Sequence, residues 1–225
     1  MSTSTRPAEI LRYDEGFGRS WSDDASSDDI RFVVLDCETT GLDPRKDRLI
    51  TIGAVGLHRG EIVLEDAFEA MLKIDHNLSA VTVHGITRDA ARDGQDEPDA
   101  LLAFLDYLRD GVIVGHHIGH DIGTLDVALD RHFGAKLLNR WIDTMDLTLL
   151  LERGGAFGED EPMRSFSLDA LCERFEVKPY GRHTAPGDAL LTALVFLKLL
   201  RVAARNGRGA LAALCERAPV VDPEA

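Results

Sequence analysis

Residues 30–43 are IRFVVLDCETTGLD, and the organisation of the whole chain follows from this stretch. Residues 32–35 form an apolar run rich in β-branched side chains, which predicts a buried strand. The run ends in two acidic residues, Asp36 and Glu38. Because side chains alternate between the two faces of a strand, these carboxylates should project together, with Cys37 on the opposite face.

Two carboxylates side by side at the end of a buried strand repel each other and are costly to remove from water. A divalent cation with oxygen ligands is the usual compensation. Acidic residues are also common where a strand simply runs into solvent, and a bare D-x-E pattern favours that simpler interpretation. The longer string DCETTGLD, at residues 36–43, is much more specific. Within it, residues 39–41 predict a turn that exposes backbone N–H groups close to the carboxylates.

The composition suits one globular domain with a substantial core, since 44% of the 225 residues are hydrophobic and 28% are charged. The longest apolar stretch, residues 189–200, is interrupted by Thr192 and Lys198, so we expect no transmembrane helix and no membrane partner. The N-terminus lacks the pattern of a secretory leader. Three widely spaced cysteines without a C-x-x-C motif favour reduced thiols in a cytoplasmic protein.

The formal net charge of −14 argues against a protein that coats long duplexes through counterion release. Such a protein could still grip a single strand end through metal ions, backbone donors and a few side chains. The charge therefore restricts the kind of nucleic-acid partner without excluding one.

Three regions are expected: a polar, acidic and aperiodic N-terminal extension (1–29), the main domain (30–205) and a short C-terminal helix with a tail (206–225). Patterning in the main domain predicts strands at 32–35, 49–57, 61–73, 112–115 and 141–145. It predicts helices within 79–92 and at 97–108, 122–133, 146–151, 167–175 and 187–203, and a further short one at 209–217. An antiparallel meander followed by alternating helices and strands indicates an α/β fold, a mixed sheet with helices on both faces.

Functional residues of open α/β sheets cluster at the carboxyl ends of the strands. Asp36 and Glu38 end the first strand, and Asp121 follows the strand at 112–115 by one short turn. Asp188 lies in the first turn of the strongest predicted helix, where a helix N-terminus stabilises a carboxylate. His183 lies five residues earlier, in the loop that feeds this helix, so its imidazole and the Asp188 carboxylate can face one point.

Together these features resemble the DEDDh-type 3′–5′ exonucleases, the DnaQ-like family of the polymerase III epsilon (proofreading) subunit. The resemblance covers about residues 32–200. The motifs that carry it stand in the family's order and approximate spacing: DCETTGLD at 36–43, VHGIT at 83–87, IVGHHIGHD at 113–121, IDT at 142–144, SLDAL at 167–171 and HTAPGDA at 183–189. It implies a ribonuclease H-like three-layer fold, with residues 30–205 as the exonuclease domain.

The resemblance also implies an activity, the removal of nucleoside 5′-monophosphates from 3′ ends, with two Mg²⁺ or Mn²⁺ ions per site. Asp36 would bridge both ions, Glu38 and Asp188 would complete the ion that carries the attacking water, and Asp121 would serve the other. His183 would be the general base. The residues implied in seating the terminal nucleotide are Thr39, Thr40, Gly41, Leu42 and His84.

Two positions depart from the family pattern. His117 stands where Asn is usual and can still support the site by hydrogen bonding. His120 replaces a Phe, which affects the wall against the substrate more than the chemistry. We expect both to lie at the substrate site, while Asp143 and Thr144 brace it.

Alternative interpretations remain open from the sequence. A histidine-rich metal site, as in HD-type phosphohydrolases, could be formed by His116, His117, His120 and Asp121. The histidines of that class lie on helices, however, whereas these follow a predicted strand. Within nucleases, an exoribonuclease of the oligoribonuclease or RNase T kind is the close alternative to a single-stranded DNA exonuclease. A non-catalytic scaffold for nucleic acid or a polymerase is a third. Because only 25 residues follow Leu200, we expect no obligate polymerase partner; the sequence leaves the oligomeric state open.

Overall fold

One mixed five-stranded sheet forms the centre of the computed structural model, which describes residues 6–17, 21–74, 94–158 and 163–218. Its strands are β1 (Arg31–Thr39), β2 (Leu49–His58), β3 (Glu61–Met71), β4 (Val112–Gly115) and β5 (Trp141–Asp143). Their order across the sheet is β3-β2-β1-β4-β5. The β1–β2 and β2–β3 pairs are antiparallel, whereas β1–β4 and β4–β5 are parallel. The predicted antiparallel meander with added parallel strands is therefore confirmed.

Seven helices of the described residues cover this sheet. They are α1 (Ala8–Gly16), α2 (Glu97–Leu108), α3 (Gly119–Phe133), α4 (Thr144–Arg153), α5 (Leu168–Arg174), α6 (Ala185–Arg205) and α7 (Leu211–Leu214). Most boundaries lie within three residues of the predicted ones. The short helix predicted within 79–92 lies outside the described residues, where nothing tests it.

Side-chain alternation along β1 divides the core into two layers. Phe32 and Val34 pack into the layer that includes α4, α5, α6 and α7. Val33 and Leu35 pack into the opposite layer with α1, α2 and α3. The helices thus lie on both faces of the sheet, as predicted from the order of elements along the chain.

The main difference from the predicted elements lies in the N-terminal segment, where the sequence predicts no helix or strand before residue 30. Residues 8–16 form α1, whose buried residues Ile10 and Tyr13 pack into the layer with α2 and α3. The Tyr13 hydroxyl donates to the side-chain oxygen of Asn139 and accepts a 2.8 Å hydrogen bond from the Leu138 N–H. Two apolar anchors are too few for a visible helical period, so tertiary packing rather than patterning identifies this helix. No helix of the described residues is long and apolar enough to cross a membrane.

Candidate active site

The end of β1 brings Asp36 and Glu38 to one face of the sheet. Alternation continues from Phe32 and Val34, so both carboxylates point toward the layer that contains α6. Cys37 points the other way and packs at the edge of the opposite layer. The two carboxylates therefore project side by side from one face of β1, as predicted.

Asp188 reaches the same place from the N-terminus of α6. The Thr184 side chain caps this helix by accepting a hydrogen bond from the Gly187 N–H, and Asp188 lies buried in the first turn. The helix begins at Ala185 rather than at the predicted 187, so Pro186 lies within its first turn, where a missing N–H does no harm.

Gly53 of β2 permits this approach. A Cβ atom at residue 53 would lie 2.3 Å from the nitrogen of Pro186 and 2.4 Å from the carbonyl carbon of Ala185. Both are backbone atoms of the first turn of α6. The helix end therefore rests directly on the backbone of the sheet, at the position across from Asp36.

The carboxylates of Asp36, Glu38 and Asp188 converge, since each offers an oxygen within 4.8 Å of the others. We call these three residues the carboxylate cluster. Asp121, at the start of α3, lies next to it, and its Oδ1 accepts a 2.8 Å hydrogen bond from the Cys37 N–H. The four predicted acidic residues are therefore neighbours, with Asp121 outside the tightest group.

Burial and mutual repulsion disfavour the ionised forms of these acids. Burial first, and then the charges of Asp121, Asp188 and Glu38, raise the pKa of Asp36 well above its usual value. Burial likewise raises the pKa of Asp121 to about 7, partly opposed by the Cys37 N–H, and raises the pKa of Glu38. Such a group of buried oxygen donors fits Mg²⁺ or Mn²⁺, because a divalent cation offsets the repulsion that raises these pKa values.

His183 lies at the rim of the carboxylate cluster. Its backbone N–H donates a 3.2 Å hydrogen bond to Oδ2 of Asp188, and its side chain is exposed. Its φ angle is +63°, a left-handed conformation that is uncommon for residues other than glycine. His183 and Asp188 are thus neighbours, as predicted, and the hydrogen bond to Asp188 is one of the contacts that hold the strained backbone of His183 in place.

Arg182 and Asp169 also belong to this site, and neither was predicted from the sequence. Arg182 forms ion pairs with Asp188 and with Asp169 of α5. Asp169 stands inside the SLDAL motif, so its acidic side chain was visible in the sequence. A basic residue next to His183 in such an acidic chain was the other available signal.

The turn after β1 is held together by Asp47. Its carboxylate accepts hydrogen bonds from the Thr40 hydroxyl and from the Asp43 N–H, at 2.9 and 2.8 Å. The Thr40 N–H donates to the Arg48 carbonyl at 2.9 Å, so the expectation that this turn leaves its N–H groups exposed is wrong at Thr40. The Asp47 carboxylate also occupies the space that a side chain at Gly41 would need.

Two other predicted substrate contacts in this turn have different surroundings. The Thr39 hydroxyl donates to the Gly41 carbonyl at 2.6 Å and lies 3.4 Å from Nε2 of His120. Leu42, by contrast, is 86% exposed. Thr39 and His120 are thus neighbours at the site, while Leu42 projects into solvent.

Asp143 and Thr144 contact the two histidines after β4. Nδ1 of His116 lies 2.9 Å from the Thr144 hydroxyl, and the His117 N–H donates to Oδ1 of Asp143 at 3.2 Å. Burial and the neighbouring His117 lower the pKa of His116 to about 4. Among the described residues, the only acidic, histidine or cysteine group spaced to hold a metal is the carboxylate cluster, which disfavours the histidine-rich site. The predicted contact His84 lies outside the described residues.

The fold of the chain is similar to that of a nuclease of known structure. Escherichia coli Exonuclease I in complex with a dT13 oligonucleotide has a TM-score of 0.68 and 20% sequence identity, over 78% of this chain and 42% of that one. The product-bound structure of exonuclease I has a TM-score of 0.67. At this identity the similarity concerns the fold alone. It places the chain in the class of α/β domains with a ribonuclease H-like exonuclease fold.

Sequence comparison identifies the family. The model of the family described as Exonuclease matches residues 33–196. Two relatives are the DNA polymerase III PolC-type proteins of Thermotoga maritima, 34% identical over 191 residues, and of Bacillus subtilis, 35% identical over 179. They match 84% and 78% of this chain, which spans only 13% and 12% of their own lengths. The chain belongs to the exonuclease family and forms a DEDD-type exonuclease domain, as the sequence resemblance implied.

Proposed function

We propose that this protein is a metal-dependent 3′–5′ exonuclease of the DEDDh type, which removes nucleoside 5′-monophosphates from the 3′ ends of single-stranded DNA. The observation that carries the proposal is the convergence of Asp36, Glu38 and Asp188 within 4.8 Å, in a chain of the exonuclease family. A buried cluster of this kind is destabilising by itself and is best explained by the cations it would hold.

Asp36, Glu38, Asp121 and Asp188 would hold two Mg²⁺ or Mn²⁺ ions. The charges of the other three acids all act on Asp36. The family resemblance implies that Asp36 would be shared, with Glu38 and Asp188 on one ion and Asp121 on the other. When bound, two such ions stabilise the charge on the attacking and leaving oxygens of an in-line displacement at phosphorus. The contribution of the chain is to keep the oxygen ligands at one end of the sheet.

His183 would accept the proton of the attacking water on a ring nitrogen. Its side chain is exposed, so water and substrate can reach the imidazole. Its backbone N–H donates a hydrogen bond to Asp188, which fixes the position of the residue. A general base must lie within hydrogen-bond reach of the proton that it removes. The Asp188 contact holds the histidine next to the water-activating part of the site.

Single-stranded DNA is the substrate that best fits the remaining observations. The solved structure of Exonuclease I holds a dT13 oligonucleotide, and the matched relatives are DNA polymerases. The net charge of −14 disfavours extended binding to duplexes. We propose that residues 39–42 seat the 3′-terminal nucleotide together with His84, His117 and His120.

The decisive test is product analysis on 5′-labelled single-stranded DNA and RNA with Mg²⁺ or Mn²⁺. We expect a ladder with single-nucleotide steps on DNA, loss of the ladder with EDTA, and release of nucleoside 5′-monophosphates. A ladder on RNA alone would indicate an exoribonuclease. Internal cuts, or activity indifferent to EDTA, would contradict the proposal. Binding of single strands without cleavage would indicate a non-catalytic scaffold.

We further propose that the protein acts in the cytoplasm without an obligate polymerase partner. The three cysteines, all free in the structure, agree with a reducing compartment. A pull-down with the tagged full chain tests the second part of this proposal. Recovery of a stoichiometric complex with a polymerase catalytic subunit would contradict it.

A further inference from the structure

Arg182 connects the carboxylate cluster to helix α5. Its Nη1 pairs with Oδ1 of Asp188, while its Nε and Nη2 donate to the two carboxylate oxygens of Asp169 at 2.6 and 3.3 Å. All three nitrogens of the guanidinium are therefore engaged, and one planar group bridges α5 and α6. A fork of this kind fixes orientation as well as charge.

The positive charge of this guanidinium also acts on the other two acids of the carboxylate cluster. Arg182 favours the ionised forms of both Asp36 and Glu38, against the effect of burial. Asp169 offsets the positive charge only in part, because its side chain is 65% exposed and water screens it. The Arg182 side chain is only 22% exposed, so its own charge acts at closer range and in a lower dielectric.

The same contact also fixes the loop that carries His183. Asp188 is engaged on both oxygens, by Arg182 on Oδ1 and by the His183 N–H on Oδ2. The left-handed backbone of His183 persists only if neighbouring contacts hold it. The chain from Asp169 through Arg182 to Asp188 supplies such a constraint directly beside the strained residue.

Resting on the function proposed above, we propose that Arg182 is a positioning residue with two opposing effects on the site. It holds Asp188 and the His183 loop in the geometry required for turnover. It also weakens the binding of divalent cations. Its guanidinium already pairs with one oxygen of Asp188, and its positive charge repels a cation at the same carboxylates. Loss of Arg182 should therefore strengthen metal binding and slow the reaction, a combination that simple damage to the fold would not produce.

The experiment compares full-length wild type with the Arg182→Met, Arg182→Lys and Asp169→Asn variants. Mn²⁺ affinity is measured by calorimetry on metal-free protein, and single-turnover cleavage of single-stranded DNA is measured at saturating Mn²⁺. We expect Arg182→Met to bind Mn²⁺ about tenfold more tightly, through loss of like-charge repulsion. We expect its cleavage rate to fall at least about tenfold, through loss of alignment.

The other two variants separate charge from geometry. Arg182→Lys keeps the charge but cannot form the fork, so it should bind Mn²⁺ like wild type and cleave slowly. Asp169→Asn removes the screening partner, so it should bind Mn²⁺ more weakly than wild type. Circular dichroism of the metal-free proteins identifies any variant that fails to fold. The Mn²⁺ affinities and cleavage rates of the folded variants then test the two proposed effects of Arg182.

Unchanged or weaker Mn²⁺ binding by a folded Arg182→Met protein would overturn this inference, as would an unchanged cleavage rate. In either case, a wild type that binds Mn²⁺ and cleaves would leave the proposed function standing. A wild type that neither binds Mn²⁺ nor cleaves would overturn both. Asp36→Asn serves as the control that removes a cation ligand directly and should weaken Mn²⁺ binding.

Discussion

Gly53 on β2 is the cross-strand partner of Asp36 on β1, and the first turn of α6 fills the space that a side chain at Gly53 would need. Cross-strand partners point to the same face of a sheet, so Gly53 and Asp36 both face this helix. The close approach places Asp188 beside the two acids of β1. One glycine on a neighbouring strand thus brings together residues that are 150 positions apart in the sequence.

We predict that Gly53→Ala separates Asp188 from the other two acids. The new Cβ would meet the backbone of Ala185 and Pro186, which cannot rotate away as a side chain can. Overpacking of this kind costs about 1–3 kcal/mol. Thermal unfolding should show the loss of stability, and calorimetry should show weaker Mn²⁺ binding. Gly16→Ala is the matched control, because no heavy atom of the described residues lies within 4 Å of its new Cβ apart from its chain neighbours and its own helix backbone. Wild-type Mn²⁺ affinity in the Gly53→Ala protein would contradict this account.

A second prediction concerns the pH dependence of stability without metal. The pKa of Asp121 is raised from 3.8 to about 7, chiefly by burial. The folded protein thus holds this proton more tightly than the unfolded chain, so stability present below about pH 4 should be lost as pH rises toward 7. The loss should be on the order of a few kcal/mol. Melting in EDTA across this range measures it.

Asp121→Asn provides the control for this pH dependence. An asparagine cannot ionise, and its side-chain oxygen can still accept a hydrogen bond from the Cys37 N–H. The variant should therefore melt at a higher temperature than wild type in EDTA at pH 7 and at a similar temperature at pH 4. Adding Mn²⁺ should raise the melting temperature of wild type at pH 7, because the cation requires ionised carboxylates. Parallel melting curves for the two proteins would refute the assignment.

Local rules were sufficient to predict the parts of the site that lie on single elements. Strand alternation placed Asp36 and Glu38 on one face, and the patterning of α6 placed Asp188 in its first turn. The antiparallel meander and the two helical layers also followed from the order of elements along the chain. The family resemblance then supplied the relation between these separate pieces.

Contacts between distant elements could not be predicted in the same way. Arg182 bridges two helices through an orientation that only tertiary packing sets, and Gly53 matters because of what packs above it. Helix α1 depends on two buried side chains and on the Tyr13 hydroxyl, which accepts a hydrogen bond from the Leu138 N–H and donates one to Asn139, both more than 120 residues away. Such relationships leave no periodic pattern in the sequence.

A third prediction concerns Leu42, whose side chain projects from the turn after β1. Because it is 86% exposed, its removal should leave the free energy of unfolding within about 0.5 kcal/mol of wild type. If it packs against the terminal nucleotide, Leu42→Ala should lose about 1–2 kcal/mol of binding, which is roughly a five- to thirtyfold increase in KM. Steady-state cleavage of single-stranded DNA measures this.

Leu64→Ala is the matched control for Leu42, because Leu64 is 65% exposed on β3, the edge strand that follows β2. It should change neither KM nor stability. An equal effect of the two substitutions would show that general surface hydrophobicity, rather than a contact at the site, governs substrate binding. A change in kcat alone for Leu42→Ala would also contradict a simple binding role.

The last prediction concerns the catalytic role of His183. A substitution here must tolerate a φ angle of +63°, and asparagine adopts this conformation more readily than most residues. We therefore choose His183→Asn, which keeps the N–H that binds Asp188 and removes the imidazole. Loss of a positioned general base should lower single-turnover cleavage by about 10²–10⁴-fold. Mn²⁺ affinity should remain, because every carboxylate is still present, and so should the affinity for single-stranded DNA measured in Ca²⁺. Cleavage at the wild-type rate would remove His183 from the mechanism, while loss of DNA binding would make it a substrate contact instead of a base.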